Sequence, residues 1–307
     1  MHPTPLVRLA FAAVAASLLA LLALGGASAA AAPRPPFPVT VTAANGKVTL
    51  RHRPHRIVSL SSTATEDLFA IGAGRQVVAV DQFSDYPKRA PRTRLSASAP
   101  NVEAIAGYRP DLVVLAFDAN NTVRSLGKLH IPVLLEPAPK SLPGAYAQIR
   151  QLGAVTGRRG AASALAARLR KRIAGLVASV PKRAKGLSVY HEISPDHYSA
   201  TSSTFIGSIY RLFGLQDIAD KADASGSGYP QLSNEYIVAA NPDLIVLADT
   251  TCCGQSAKTV AARAGWGSIE AVKRGAIVPV DDSIAARWGP RITTFVAAIA
   301  RALRSTP

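Results

Sequence analysis

The sequence predicts an α/β protein of two Rossmann-like lobes, each built on a parallel sheet, joined by one long backbone helix. Three observations predict it: an opening strand, helix, strand pattern; a thirteen-residue motif that recurs 132 positions later; and a single long amphipathic stretch between the two copies. Taken in order, residues 1–32 carry one cation, Arg8, then an uncharged Leu- and Ala-rich run from Leu9 to Ala32 with Ala27-Ser28-Ala29 ahead of Pro33. This is the n-region, h-region and small-residue cleavage site of an export signal peptide. The run is also long enough to serve as an uncleaved anchor, and with no cysteine near the cleavage point the chain is not expected to be a lipoprotein. After a Pro-rich spacer and a short strand pair around Val39–Thr42 and Lys47–Leu50, Arg56-Ile57-Val58-Ser59-Leu60 reads as the first buried strand. A helix follows. Thr63 or Thr65 is placed to cap it, Glu66 and Asp67 to complement its dipole, and Gly72 and Gly74 to end it before the strand Val77–Val80. That is a βαβ unit, the seed of a parallel sheet. Gly72-Ala73-Gly74 is no phosphate cradle, because it follows a helix instead of opening one.

The recurring motif is Glu103–Leu115, EAIAGYRPDLVVL, and Glu235–Leu247, EYIVAANPDLIVL, identical at seven of thirteen positions. Each copy reads as helix, Pro-Asp turn, buried strand, with a capping residue (Asn101, Ser233) just ahead of the glutamate. Equivalent segments so far apart imply two lobes of one design. Between them, Leu165, Leu169, Ile173, Leu176 and Val177 are spaced by threes and fours over Arg158–Val180, a helix of about 22 residues and roughly 33 Å. The expected division is a signal peptide over 1–32, an N-terminal lobe over 33–157, the connecting helix over 158–181 and a C-terminal lobe over 182–307.

Composition narrows the function classes. The 307 residues are 48% hydrophobic and 18% charged, which fits a soluble globular body and excludes a disordered or fibrous chain. The net charge is +16, from 35 Lys plus Arg against 19 Asp plus Glu. The cations gather at Arg51, Arg53, Arg56 and from Arg158 to Lys185 without interleaved aromatics, so no nucleic-acid partner is expected. Export argues against nucleotide cofactors and permits disulfides. No strand, Gly-x-Ser-x-Gly, helix elbow follows Ser59, Ser61 and Ser62, and no catalytic residue is assigned.

The combination of Arg56–Leu60 with Ala64-Thr65-Glu66, Asp85-Tyr86-Pro87, Asn101-Val102-Glu103 with Pro110-Asp111-Leu112, and Asn241-Pro242-Asp243-Leu244 resembles the substrate-binding proteins of ABC importers for iron chelates (siderophore or haem) and vitamin B12. The resemblance runs from Arg56 to Leu303. It implies a non-enzymatic, monomeric receptor outside the cytoplasm, at the cell surface or in the periplasm. Such a receptor captures a ferric siderophore or cobalamin between its lobes and delivers it to a membrane permease, with no cofactor of its own.

In a doubly wound sheet the ligand lies beyond the carboxyl ends of the strands, which makes the loops there the binding surface. Phe83, Tyr86, Tyr229, Arg287 and Trp288 are the candidate ligand-binding residues on them. The aromatics suit a flat macrocycle or aromatic chelator, and Phe83 and Tyr229 fall where the resemblance places ligand-facing aromatics. Arg287 suits an anionic chelate. The plainer alternatives are loop packing for the aromatics and a surface salt bridge for Arg287. Glu103 and Glu235 match the family's pair of permease-docking glutamates, one per lobe; the alternative is a dipole contribution of about 0.3 to 1 kcal/mol each. Cys252 and Cys253, the only cysteines, are expected to form a vicinal disulfide in a ligand-facing loop. Two other readings stay open: a secreted redox or sensor protein using this cysteine pair, or a bare metal-ion receptor. Lobe one offers no histidine after a strand, so no direct metal site is assigned, and His191 and His197 are read as loop or ligand contacts.

Overall fold

A computed structural model describes residues 37–305, and the predicted export segment lies outside them. An antiparallel hairpin of β1 (Val39–Ala43) and β2 (Gly46–Leu50) comes first. Asn45 at its tip donates to the Val133 carbonyl at 2.9 Å and accepts from the Leu135 amide at 3.1 Å, so the hairpin covers the edge of the first sheet.

That sheet is built from β3 (Ile57–Leu60), β4 (Val77–Val80), β5 (Leu112–Leu115) and β6 (Val133–Leu135) in the order β4-β3-β5-β6, all parallel. The intervening helices are α1 (Ser62–Ala70), α2 (Val102–Gly107) and α3 (Thr122–Lys128), and α4 (Leu142–Val155) follows. Helix α1 starts earlier than the sequence suggests. Ser61 is its cap, accepting from the Ala64 amide at 3.2 Å, while Thr63 and Thr65 are buried within it. Glu66 and Asp67 therefore sit past the first turn and are buried rather than serving the dipole.

After α5 (Arg159–Ala178) the second sheet repeats the first strand for strand. Its members are β7 (Ser188–Glu192), β8 (Gln216–Asp217), β9 (Leu244–Leu247) and β10 (Ile277–Pro279), in the order β8-β7-β9-β10, again all parallel. Helices α6 (Phe205–Leu212), α7 (Asn234–Ala240), α8 (Thr250–Cys253), α9 (Ala257–Ala261), α10 (Glu270–Lys273), α11 (Asp282–Ala285) and α12 (Ile292–Ser305) complete the chain.

The repeated Pro-Asp turn has one mechanical role in both copies. Arg109 and Asn241, 132 apart, each adopt the left-handed conformation that closes their helix, with φ of 49° and 45°. The aspartate two residues later accepts from the start of the neighbouring strand: Asp111 from the amides of His55 and Arg56 at 2.7 and 2.9 Å, Asp243 from the amide and hydroxyl of Ser188 at 2.9 and 2.8 Å.

Strand alternation divides the core. Leu112 and Val114 of β5 and Leu244 and Val246 of β9 face one continuous cluster shared with α4, α5 and α12, while Val113, Leu115, Ile245 and Leu247 face two separate outer clusters. Helix α5 buries Ala162, Leu165, Ala166, Leu169 and Ile173 on this shared cluster. It lies so close to α4 that a side chain at Gly153 would run into Ala162. At 20 residues the helix is about 30 Å long.

Candidate functional site

The order β4-β3-β5-β6 places a topological switch point between β3 and β5, because the chain leaves β3 in one direction for β4 and returns on the other side for β5. Ligands of open α/β sheets bind beyond the strands' carboxyl ends at such a point. A cavity of about 330 Å³ lies there. Leu60–Thr63 after β3, Asp81 and Phe83 after β4, Ala97 and Ser98, and Ala116 and Phe117 after β5 form one wall. Ala286, Arg287 and Trp288 from the second half of the chain close the other. Grooves of about 530 and 620 Å³ lie elsewhere, along the edge strand β10 against α12 and beside the start of β4, and neither lies at a switch point.

Three of the five expected ligand-binding residues come together in this cavity. Phe83 is 58% exposed and lines the cavity together with Phe117, 49% exposed, an aromatic beyond a strand end that was not among the expected residues. Trp288 stands opposite, fixed by its Nε1 donating to Gln148 Oε1 at 2.7 Å and packed edge-on to Phe205 at 6.3 Å. Two solvent-exposed aromatic faces and a held indole suit a flat, apolar ligand surface.

Arg287 lines the same cavity with its donors turned away. Nη1 donates to Glu66 Oε1 at 3.0 Å and Asp85 Oδ1 at 2.8 Å, and Nη2 to the Phe83 carbonyl at 2.9 Å. Arg291 completes the arrangement: its Nε and Nη2 grip Glu66 at 3.1 and 2.7 Å, with its guanidinium 4.5 Å from the Tyr86 ring. Arg287 thus works as a clasp between the second half of the chain and α1, not as the open anion fork expected from its position. Tyr86, committed beneath Arg291, lines a neighbouring groove with Glu66, Phe69 and Pro87 and not the cavity. Tyr229, half exposed on its loop, is also not among the cavity's lining residues.

Asp81 is the remaining ionisable group of the cavity. It is 1% exposed, and Oδ1 has no hydrogen-bond partner. Burial raises its carboxyl above the usual range, against the opposing pull of the Ser84 hydroxyl, the Ser84 and Phe83 amides and Arg287. Asp85, held by the Arg287 guanidinium, moves the other way.

The corresponding point of the second sheet, between β7 and β9, is filled by side chains. Arg263 forks onto Glu192, both contacts 2.6 Å, and reaches Gln255 Oε1 at 2.9 Å, while Tyr190 donates to Glu192 at 3.1 Å. Asp249 is buried beside them, its carboxyl pushed up to about 7 by burial and then by the Glu192 charge. Above it, α8 carries Cys252 and Cys253 joined to one another, with the Thr251 and Cys252 amides donating to Asp282 at 2.9 and 2.7 Å. His191 is buried against the Tyr210 hydroxyl at 2.6 Å, with burial lowering its pKa to about 3. His197 packs on Trp266, the ring centres 5.8 Å apart. Among the described residues no group of three or more His, Cys, Asp or Glu converges as metal ligands would.

Glu103 and Glu235 both stand exposed in the first turn of their helices, behind Asn101 and Ser233, which accept from Ala104 and Tyr236 amides at 2.9 and 3.1 Å.

Residues 57–283 match the model of a family described as periplasmic binding protein. The chain belongs to that family. Among its relatives, a cobalamin-binding protein of Halobacterium salinarum is 34% identical over 280 residues, covering 88% of this chain and 75% of the relative. The uncharacterized ABC transporter substrate-binding lipoprotein YvrC of Bacillus subtilis is 32% identical, covering 87% and 86%. The crystal structure of a protein from Staphylococcus epidermidis described as a possible iron-binding (periplasmic solute-binding) protein superposes with a TM-score of 0.70 at 27% identity, covering 82% of this chain and 99% of that one. The protein is therefore a substrate-binding protein of the ABC-importer class that works outside the cytoplasm, and the cavity between its two halves is the candidate substrate site. The first cysteine of this chain is Cys252.

Proposed function

We propose that the protein captures a metal chelate, with cobalamin as the favoured ligand, and hands it to a membrane permease. The observation that carries this reading is the cavity at the switch point, where Phe83, Phe117 and Trp288 surround a site whose arginine is already bound to Glu66 and Asp85. An aromatic cleft without a free cation suits a largely neutral macrocycle better than an anionic one. A cavity of about 330 Å³ would take one edge of such a macrocycle, with the rest lying across the opening between the lobes. The helical layer shared by both sheets supports a stiff hinge and small closure, so affinity would come from a largely preformed cleft.

In this reading Tyr229 borders the cleft opening, Glu103 and Glu235 are the permease contacts, and the Cys252-Cys253 pair stiffens a rim loop. The receptor acts as a monomer, and residues 1–32 direct its export or retain it at the membrane without a lipid. The test is calorimetric titration of residues 33–307 with cyanocobalamin, haem and ferric siderophores, with zinc and manganese as controls. Submicromolar binding of cyanocobalamin, weakened about tenfold or more by Trp288→Ala and unaffected by Glu103→Ala with Glu235→Ala, is the expected result. The double variant should instead lose ligand-stimulated ATPase activity of the reconstituted importer. Absence of binding by every chelate would overturn the receptor reading.

A further inference from the structure

Asp81 follows β4 directly, its amide donating to the Ser59 carbonyl at 3.1 Å, which fixes its backbone against the central strand. The residue is almost completely buried, yet Oδ1 has no partner and the residue lines the cavity. A buried acceptor left unpaired is costly. Arg287 acts on Asp81, but its charge is shared with Glu66 and Asp85, and Arg291 is held on Glu66. The Arg287 donors nearest the wall are taken by Glu66, Asp85 and the Phe83 carbonyl.

We propose that Asp81 is the specificity-determining residue of the cleft, selecting ligands that present an N–H or O–H donor at this wall and rejecting those that present a carboxylate. A donor from the ligand completes the hydrogen bonding of Oδ1 in a site shielded from water. A carboxylate in the same place meets a like charge and loses its own solvation with no donor to replace it. Sites built to receive a hydrogen bond discriminate strongly against ligands that cannot make it, because the protein group is then left unpaired. The inference rests on the cobalamin reading, and deepens it: a corrin carries primary amides at its rim, whereas haem carries carboxylates.

The experiment compares cyanocobalamin, its monocarboxylic acids (one rim propionamide hydrolysed) and haem on the wild-type protein and on Asp81→Asn. Wild type is expected to bind the amide form at least about thirtyfold tighter than the acid isomer whose altered group meets Asp81, and haem more weakly still. Asp81→Asn, whose amide donates as well as accepts, should bring that ratio to within about threefold. Its melting midpoint should be unchanged or higher, since a buried charge is removed. Equal wild-type affinity for cyanocobalamin and every acid isomer overturns the proposal whether or not the variant folds. An undiminished ratio in folded Asp81→Asn overturns it as well. Failure of the receptor reading would look different: no ligand binds in the wild-type arm, and the selectivity proposal falls with it.

Discussion

The two sheets share strand order and the Pro-Asp turn, but they use their switch points in opposite ways. In the first, Leu60 and Ser61 leave β3 beside a cavity and α1 begins at once. In the second, the position equivalent to Leu60 is Glu192, and Arg263 fills the corresponding space by forking onto it, while residues 193–204 intervene before α6. One lobe therefore offers an open aromatic site, and the other is a rigid counterpart closed by a buried ion pair. The difference teaches that a duplicated backbone does not duplicate a site. A few side chains at strand ends decide whether a switch point is open or plugged.

Breaking the plug should have the largest effect. Arg263→Met leaves Glu192 and Asp249 buried without their cation, and a loss of about 3–5 kcal/mol of unfolding free energy is expected by denaturant titration. If the loss is below about 1 kcal/mol, the second lobe is not held by this pair.

The clasp across the first lobe comes next. Glu66→Gln removes the charge gripped by both Arg287 and Arg291, but Asp85 still partners Arg287, so a smaller loss of about 2–4 kcal/mol is expected in the same measurement.

The plugged switch point should also carry a pH response. Folded Asp249 keeps its proton to about pH 7, whereas in the unfolded chain it releases it near 4. The folded state binds the extra proton between these values, so the contribution of Asp249 to stability falls as pH rises from about 4 to 7, by at most about 1.4 kcal/mol per pH unit. Asp249→Asn should lack this part of the decline. Parallel stability curves for the two proteins would remove Asp249 from the account.

The smallest effects test what the sheets have in common. Asp111→Ala and Asp243→Ala each remove an acceptor for two donors at the start of the central strand. A loss of about 1 kcal/mol is expected for exposed Asp111 and about 1–2 kcal/mol for half-buried Asp243. A difference beyond about 2 kcal/mol would mean that the repeated turns are not equivalent.

The buried strands, the repeat and the stripe of α5 were legible because they are written in residues two to four positions apart, where backbone geometry sets the period. Phe83 and Trp288 were legible as aromatics beyond strand ends, and Phe117 carried the same signal, two positions past β5. Read individually, Glu66 is a dipole partner and Arg287 an anion fork or a surface salt bridge with no partner named. Their true relation spans 221 residues and exists only after the two halves fold together.

The sequence by itself determined the parallel sheets, the duplicated design and the connecting helix, since each follows from local periodicity, capping and turn chemistry. Only the tertiary structure decided that Arg287 is occupied, that Arg263 closes the second switch point and that Asp81 lines the first one with its Oδ1 unpaired. Charge pairing depends on which distant side chains meet in a low-dielectric interior, and no spacing along the chain encodes that.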